Sequence, residues 1–395
     1  MIEEDSTILK IKRSGLRDFL VALFVFLPSI ADVPLFLHLF IIPFIGAKTI
    51  KLSQTLLLLV LIIILSTFNQ IGHFDTFLTE ARPVKELIPY SIFMLASYYF
   101  ALHVNERILR LILFFVIIEI FIGVLEYVVG VRSFIPGVRE SVAGESPFGH
   151  KGLLYYSRVS GLSTNSSTFA MKIFAGVMIA HLIGFKKKWR MITIYSILGV
   201  GLLFTFTRSV YVAVAVFVFL ANISLIRRMI VKLLMGKTKL FYILLVLLAI
   251  TAFIAMMTKI ELILAQLNRG MGSVDLSKRD FVFQTFYNFF TEHIWFGNGS
   301  YKLWILINDR LYHAHNVYLQ VLSTNGILIG SLYFLVILIN INNRNYKYIL
   351  PVLVLSLFQY AIFWGISFMD LIFFSFLLIK LNHKILPASK HAPAL

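Results

Sequence analysis

The residues with the clearest chemical potential are charged or imidazole groups set in an otherwise apolar chain. Arg208 stands in Thr205-Phe206-Thr207-Arg208-Ser209-Val210-Tyr211, between two apolar runs with almost no polar loop to hold it in water. A charge so placed is costly and by default marks function, the plain alternative being a side chain that snorkels to the interface. Arg158 leads the small-residue stretch Val159-Ser160-Gly161, and Arg279 leads the aromatic run Asp280–Phe290. A guanidinium fork matches phosphate oxygens two at a time, so a group of such arginines suits an anionic, pyrophosphate-bearing substrate. His313 and His315 supply the side chain whose ordinary pKa lies nearest neutrality, which makes His315 a candidate base for a hydroxyl proton. A helix-capping or interface histidine is the plain alternative, and a metal-binding pair with His313 the weaker one. Glu119 and Glu126, seven residues apart, share one helix face, and Lys172 follows in the next apolar run. Buried ion pairing that orients two helices explains these better than a polar path. Asp370 is a candidate partner for one of the arginines.

The elements that must hold these groups are membrane helices. Of 395 residues, 59% are hydrophobic and 14% charged, with a mean hydropathy of +0.87. A soluble domain is about half apolar and about a quarter charged. The net charge of +17 would point to nucleic acid in a soluble protein, but here it sits mostly in short loops, so no nucleic-acid partner is expected. The absence of cysteine excludes disulfides, thiolate metal sites and a cysteine nucleophile. Lys10, Lys12, Arg13 and Arg17 precede the first apolar run with no small-residue cleavage pattern after it, which reads as an uncleaved first span.

Apolar runs predict spans near 18–32, 33–47, 53–68, 88–104, 107–130, 166–185, 191–207, 209–226, 239–257, 316–338, 348–364 and 366–382. The expected fold is therefore all-α: a single polytopic integral membrane domain over 1–395, with about twelve transmembrane helices. Pro28 and Pro34 around Asp32 make the first two a hairpin in preference to one broken helix. The hairpin puts every strongly basic short loop on one side: Lys48/Lys51, Arg107/Arg110, Lys186 to Arg190, Arg227/Arg228/Lys232/Lys237/Lys239 and Arg344/Lys347. By the positive-inside bias both termini are then cytoplasmic. Longer segments near 69–87, 131–165 and 258–315 face outward, the last a large periplasmic loop. Within it, aromatic residues over Asp280–Phe290 recur at helical spacing, predicting an amphipathic helix that lies on the membrane or folds back onto the bundle. The outward segments also hold Arg82, Arg132, Arg139, Arg158, Arg208, Arg269, Arg279 and Arg310, which the orientation bias does not require.

Four stretches, in order, resemble the bacterial O-antigen ligase and polymerase superfamily. Arg158 to Ala170 looks like its Ser-Gly-Leu turn with a small polar, Asn-containing segment, and Thr207-Arg208-Ser209 like its Ser/Thr-Arg pair at a span start. Arg279 with its aromatic run, closed by Gly297-Asn298-Gly299, resembles an Arg-led helix ending in a Gly-x-Gly turn. His315-Asn316, with Gly326 beyond, resembles the family's His-Asn…Gly motif. The resemblance covers about residues 150–335. It departs from the ligase form in the spacing of Gly326 and Gly330, four apart where three is usual.

The resemblance implies a membrane glycosyltransferase in the bacterial inner membrane, active on its periplasmic face, whose donor is an undecaprenyl-pyrophosphate-linked glycan. Such an enzyme needs no metal or other cofactor, and inverts the configuration at the donor C1. It further implies that His315 abstracts or orients the acceptor proton, that Arg208 and Arg279 with Arg158 hold the pyrophosphate, and that Asn316 and Tyr318 orient the imidazole or the glycan. A polymerase joining repeat units of an O-antigen or exopolysaccharide is the leading expectation, on the glycine spacing and the lack of a large outer domain. The alternatives are a ligase that delivers the glycan to lipid A core, transfer of the glycan to protein, or a transporter of the same lipid-linked sugars. For the last, an internal repeat of one half of the chain in the other is not evident. Membrane lipid is a further partner, and a separate chain-length regulator is the protein partner a polymerase would have.

Overall fold

The computed structural model describes residues 15–46, 52–80, 83–87, 90–131, 133–135, 158–234, 247, 250–251, 279–307 and 310–379. The expected span near 239–257 lies almost wholly outside these, as do Arg82, Arg132, Arg139 and Arg269. In chain order the helices are α1 (15–26), α2 (Ile41–Ile45), α3 (Gln54–Gly72), α4 (Phe74–Thr79), α5 (Tyr90–His103), α6 (Glu106–Val129), α7 (Ser166–Ile183), α8 (Lys188–Thr205), α9 (Arg208–Ala221), α10 (Ile223–Leu234), α11 (Arg279–Glu292), α12 (Val317–Asn340), α13 (Tyr346–Leu355) and α14 (Phe368–Leu377). Several begin at a side-chain cap that accepts from the third residue on: Ser53 from Leu56, Asn105 from Ile108, Asn165 from Thr168 and Asn316 from Leu319. Each cap satisfies a backbone N–H that the helix cannot pair itself.

Among the described residues four helices, α3, α6, α7 and α12, are long and apolar enough to cross a membrane, or up to five if the pair α9–α10 is one span bent by 57°. Several expected spans are shorter or broken. The run near 348–364 is helical only to Leu355, with Pro351 inside it, and α14 ends at Leu377. Between them residues 356–367 follow an irregular path, with Phe363 at φ 65° and Gly365 at φ 94°. Residues 33–46 form a 3-10 segment, Leu35–Phe40, leading into α2. The chain doubles back at Asp32 (φ 61°), so that the Phe24 ring stacks on Phe40 and Phe44 at 5.3 and 5.4 Å.

Helices α6, α7 and α8 pack on one another, α9 on α13, α5 on α14, and α3 on α12. Hydrogen bonds between their tips sort the bundle into two ends. At one end Val159 N–H donates to Phe204 at the close of α8 (3.1 Å) and Val317 N–H to Ser356 after α13 (2.9 Å). At the other, Thr55 bonds Asn340 (3.1 Å) and Asn345 Nδ2 donates to Leu377 O (2.8 Å). The basic turns that start α6, join α7 to α8 and join α12 to α13 belong to this second end, opposite the candidate site residues.

A small sheet interrupts the expected all-α pattern. Strands β1 (Val84–Glu86), β2 (Lys302–Ile307) and β3 (Arg310–Tyr312) pair antiparallel in that order, with Glu86 opposite Lys302 and Leu306 opposite Leu311. Short apolar runs such as Lys302–Ile307 fit a strand and a helix fragment equally well by periodicity. The partner strand β1 lies more than two hundred residues upstream, where no local pattern announces it. Helix α11 folds back as one of the two expected alternatives: Val282 and Phe286 are buried with Leu303, Ile305 and Ala314 in a second, separate core. The segment before α12 is thus a packed cap, resting on α12.

Glu119 and Lys172 are the ion pair that joins α6 to α7, at 2.7 Å and with both side chains almost fully buried. Ser163 Oγ donates to the same Glu119 oxygen (2.8 Å), and Lys172 donates to Ser29 O (3.1 Å). Removing one partner of such a pair leaves an uncompensated buried charge and costs about 3–5 kcal/mol. Lys172→Met or Glu119→Ala should therefore lower the unfolding temperature in detergent sharply, whereas the double change Glu119→Leu/Lys172→Met should recover most of it. Single variants as stable as wild type would show that the pair does not orient the two helices.

Candidate functional site

The site is assembled by loops that meet at the end of the bundle holding the starts of α7, α9, α12 and α14. The turn 158–165 is held from below by the glutamates of α6. Glu126 accepts from Gly161 N–H (2.7 Å) and Phe134 N–H (2.9 Å). Gly161 takes φ 56°, and a Cβ there would lie 3.0 Å from Glu119 Cγ and 3.1 Å from the Phe169 ring. The turn also accepts Ala31 N–H at Leu162 O (2.8 Å). These bonds place Arg158 beside the α8–α9 junction, since its neighbour Val159 bonds Phe204, four residues before Arg208. Thr207 Oγ1 reaches Ser166 O across the same junction (3.4 Å).

The irregular segment 356–367 ties the remaining candidates together. Gln359 Nε2 donates to Ser209 Oγ, next to Arg208 (3.2 Å). Arg279 donates from Nη1 to Phe358 O (3.4 Å). Asn316 Nδ2 donates to Leu357 O (3.2 Å) while its Oδ1 caps α12. Tyr318 donates to Leu353 O (3.0 Å) and stacks on Phe334 at 5.4 Å. Both Asn316 and Tyr318 thus fix α12 against α13 and the segment that follows it.

His315 sits just before the cap of α12 with φ 50°, a left-handed conformation that a side chain makes costly. Its N–H donates to His313 Nδ1 (3.1 Å), and the two imidazole rings lie 4.2 Å apart. Strain of this kind in a non-glycine residue is concentrated at working sites. Around the two histidines stand aromatic residues that the sequence did not single out. His313 is 5.7 Å from Trp304 on β2, 5.5 Å from Tyr360 and 5.5 Å from Trp364, both on the 356–367 segment.

Lys302, opposite Glu86 in the sheet, brings a cation to the same place. Its ammonium lies 4.2 Å from the Trp364 ring, 5.1 Å from Trp304 and 3.8 Å from Glu86 Oε2. Burial pulls its pKa below the ordinary lysine range, against the raising pull of Glu86 and Asp370. Asp370 was a candidate partner for an arginine; here its charge acts on Lys302, and its oxygens accept from Phe363 N–H (2.5 Å) and Ser367 Oγ (2.8 Å). Among the described residues no three His, Asp or Glu side chains gather as a metal-ligand set.

Residues 193–334, from α8 to most of α12, match the family model described as O-antigen ligase. Over this region the chain is similar to the O-antigen ligase/polymerase superfamily, in agreement with the resemblance carried by its motifs. No curated protein matches the chain. The matched region contains Arg208, Arg279, His315, Asn316 and Tyr318 from the candidate set, together with Lys302 and Trp304. Arg158, Tyr360 and Trp364 lie outside the matched residues and are brought to the region by the fold.

Proposed function

We propose that this protein is a periplasm-facing membrane glycosyltransferase that joins undecaprenyl-pyrophosphate-linked oligosaccharide repeat units, as an O-antigen or exopolysaccharide polymerase. The reading is carried by one observation: segment 356–367 holds Ser209 beside Arg208, Arg279 and the His313–Asn316 turn in a single neighbourhood. In the reaction, an acceptor sugar hydroxyl gives its proton to His315 and its oxygen attacks the donor C1. The bond from C1 to the pyrophosphate oxygen breaks, configuration inverts, and undecaprenyl pyrophosphate leaves. Arg208 and Arg279, with Arg158, stabilise the negative charge that grows on the leaving oxygens, the kind of contribution that commonly lowers such a barrier most. The lipid tail reaches the site from the membrane, and a chain-length regulator is the protein partner this reading entails.

A ligase is the second reading, favoured by the description of the family model. It shares donor and leaving group and differs only in its acceptor, lipid A core. A reconstituted assay separates the two, with purified protein and lipid-linked repeat units, with and without lipid A core. A ladder of longer lipid-linked glycans identifies a polymerase, and product only with lipid A core identifies a ligase. Arg208→Ala should lower the rate roughly 100- to 1,000-fold with either acceptor, the scale of losing one preorganised charge-stabilising group. Movement of the lipid-linked sugar across the bilayer with no new glycosidic bond would overturn the enzyme reading and leave a transporter.

A further inference from the structure

We propose that Trp304, Trp364 and Tyr360, joined by His313, form a stacking platform that binds one pyranose ring of the acceptor glycan beside His315. The proposal deepens the glycosyltransferase reading and rests on it for the word acceptor. The platform itself stands on the arrangement of rings.

Two stretches distant in sequence supply the rings: β2 and the turn before α12 give Trp304 and His313, and the 356–367 segment gives Tyr360 and Trp364. The Trp304 and Trp364 centroids are 5.8 Å apart, and Tyr360 and Trp364 4.6 Å apart. The cluster is not sealed inside a core. Here Tyr360 is buried as the base, whereas Trp304, Trp364, His313 and His315 each keep exposed surface. The indole nitrogens differ in the same sense. Trp364 Nε1 donates to Tyr360 O at 2.6 Å, which fixes that ring, while Trp304 Nε1 is buried and has no hydrogen-bond partner among the described residues.

A pyranose presents polarised C–H groups on its faces and hydroxyls around its edge. Aromatic faces carry negative charge density and attract the former. The edge of this platform offers partners for the latter: the Lys302 ammonium and the Glu86 carboxylate opposite it. That mixture of apolar face and convergent polar groups is what an orienting small-molecule subsite needs. His313 contacts all three platform rings and lies 4.2 Å from the His315 ring. A sugar held on the platform therefore has its edge at His315, the residue assigned to take the acceptor proton.

The test uses full-length protein in detergent and, as probe, the repeat-unit oligosaccharide released by mild acid from the lipid-linked pool of the expressing cells. Calorimetric titration gives its affinity, and the glycan-forming assay gives KM and kcat. Trp304→Leu and Trp364→Leu should each weaken binding and raise the acceptor KM about tenfold, within the scale of one aromatic stacking contact. The donor KM and kcat should stay within about twofold, a split that a loss of folding would not give. Trp304→Phe and Trp364→Phe keep a ring face and should bind nearly as wild type. Failure of the oligosaccharide to bind wild type, or leucine variants that bind it unchanged, overturns the platform. A fall in kcat with unchanged acceptor KM overturns it too, leaving the rings a structural role. Oligosaccharide binding that depends on both tryptophans in a protein that forms no glycosidic bond would keep the platform and sink the transferase reading. Product formation with unchanged KM in the leucine variants would do the reverse.

Discussion

Replacing His315 with glycine should abolish glycan product while leaving the protein about as stable as wild type. The two halves of that expectation come from different parts of the same residue. The backbone at His315 has φ 50°, where an L side chain costs about 1–2 kcal/mol and glycine costs nothing comparable. Glycine gives part of this back by loosening the unfolded chain, so the net change should stay within about 1 kcal/mol. The ring, by contrast, is the only part that can take a proton, and positioned acid–base groups typically contribute 100- to 10,000-fold in rate. His315→Ala should lose activity to the same degree while keeping the strained backbone, and so unfold at a slightly lower temperature than His315→Gly. The pair of variants separates chemistry from architecture, which a single alanine change cannot do. Retention of more than a tenth of wild-type turnover in His315→Gly, with normal lipid-linked substrate, would remove His315 from the reaction.

What could be read in the sequence and what could not divides along a physical line. Arg208, Arg279, Arg158 and His315 were legible because charge and imidazole in an apolar chain are expensive wherever they fold. Glu119 and Lys172 were legible as a pair for the same reason, and the structure joins them at 2.7 Å. Trp304, Tyr360 and Trp364 gave no such signal, since aromatic residues are ordinary in membrane helices and at their ends. The stretch Ser356 to Ser367 is apolar enough to read as the rest of a span, yet it is irregular, with two residues at positive φ. Irregular backbone of this kind is tolerated at membrane depth only where it is buried in protein or lines a water-filled cavity, and that condition is a property of the assembled bundle. Asp370 makes the point from the other side. Its charge was visible, but only the fold shows it accepting two of that segment's donors, Phe363 N–H and Ser367 Oγ, while acting on Lys302. The segment before α12 was legible in its helix, α11, because Val282 and Phe286 follow helical spacing. Its sheet was not, because β1 pairs with β2 across most of the chain.

Gly326→Ala should prevent accumulation of folded protein, or destabilise it by more than about 4 kcal/mol, the range reserved for a few severe mechanisms. Gly326 has φ 67° and ψ −175° in the middle of α12, a combination that in practice only glycine adopts. A Cβ added there would overlap the carbonyl group of Trp295 and the nitrogen of Phe296, which are backbone and cannot rotate away. The overlap falls at a seam of four backbone hydrogen bonds between the interrupted helix and the turn after α11. Asn298 and Ser300 donate to Ser323 and Thr324 at 3.1 and 2.9 Å, and Ile327 and Leu328 donate to Ile294 and Trp295 at 2.8 and 3.2 Å. Separating the two chains enough to admit a methyl group would lengthen all four. Asn69, which donates to Phe296 O at 2.7 Å and Ser300 Oγ at 2.9 Å, would lose its partners with them. Gly330 provides the control, because the closest atom a Cβ there would meet is the end of the Leu322 side chain, at 3.1 Å, which can shift, and Val321 stands at ordinary contact distance. Gly330→Ala should therefore change stability by no more than about 1 kcal/mol. Thermal unfolding of the three proteins in one detergent decides the matter. Equal losses in both variants would mean that α12 needs small residues for helix packing in general. A loss confined to Gly326 would mean that the helix is broken so that the turn carrying Gly297 can enter it, which sets the cap, and His315 at its edge, on the bundle.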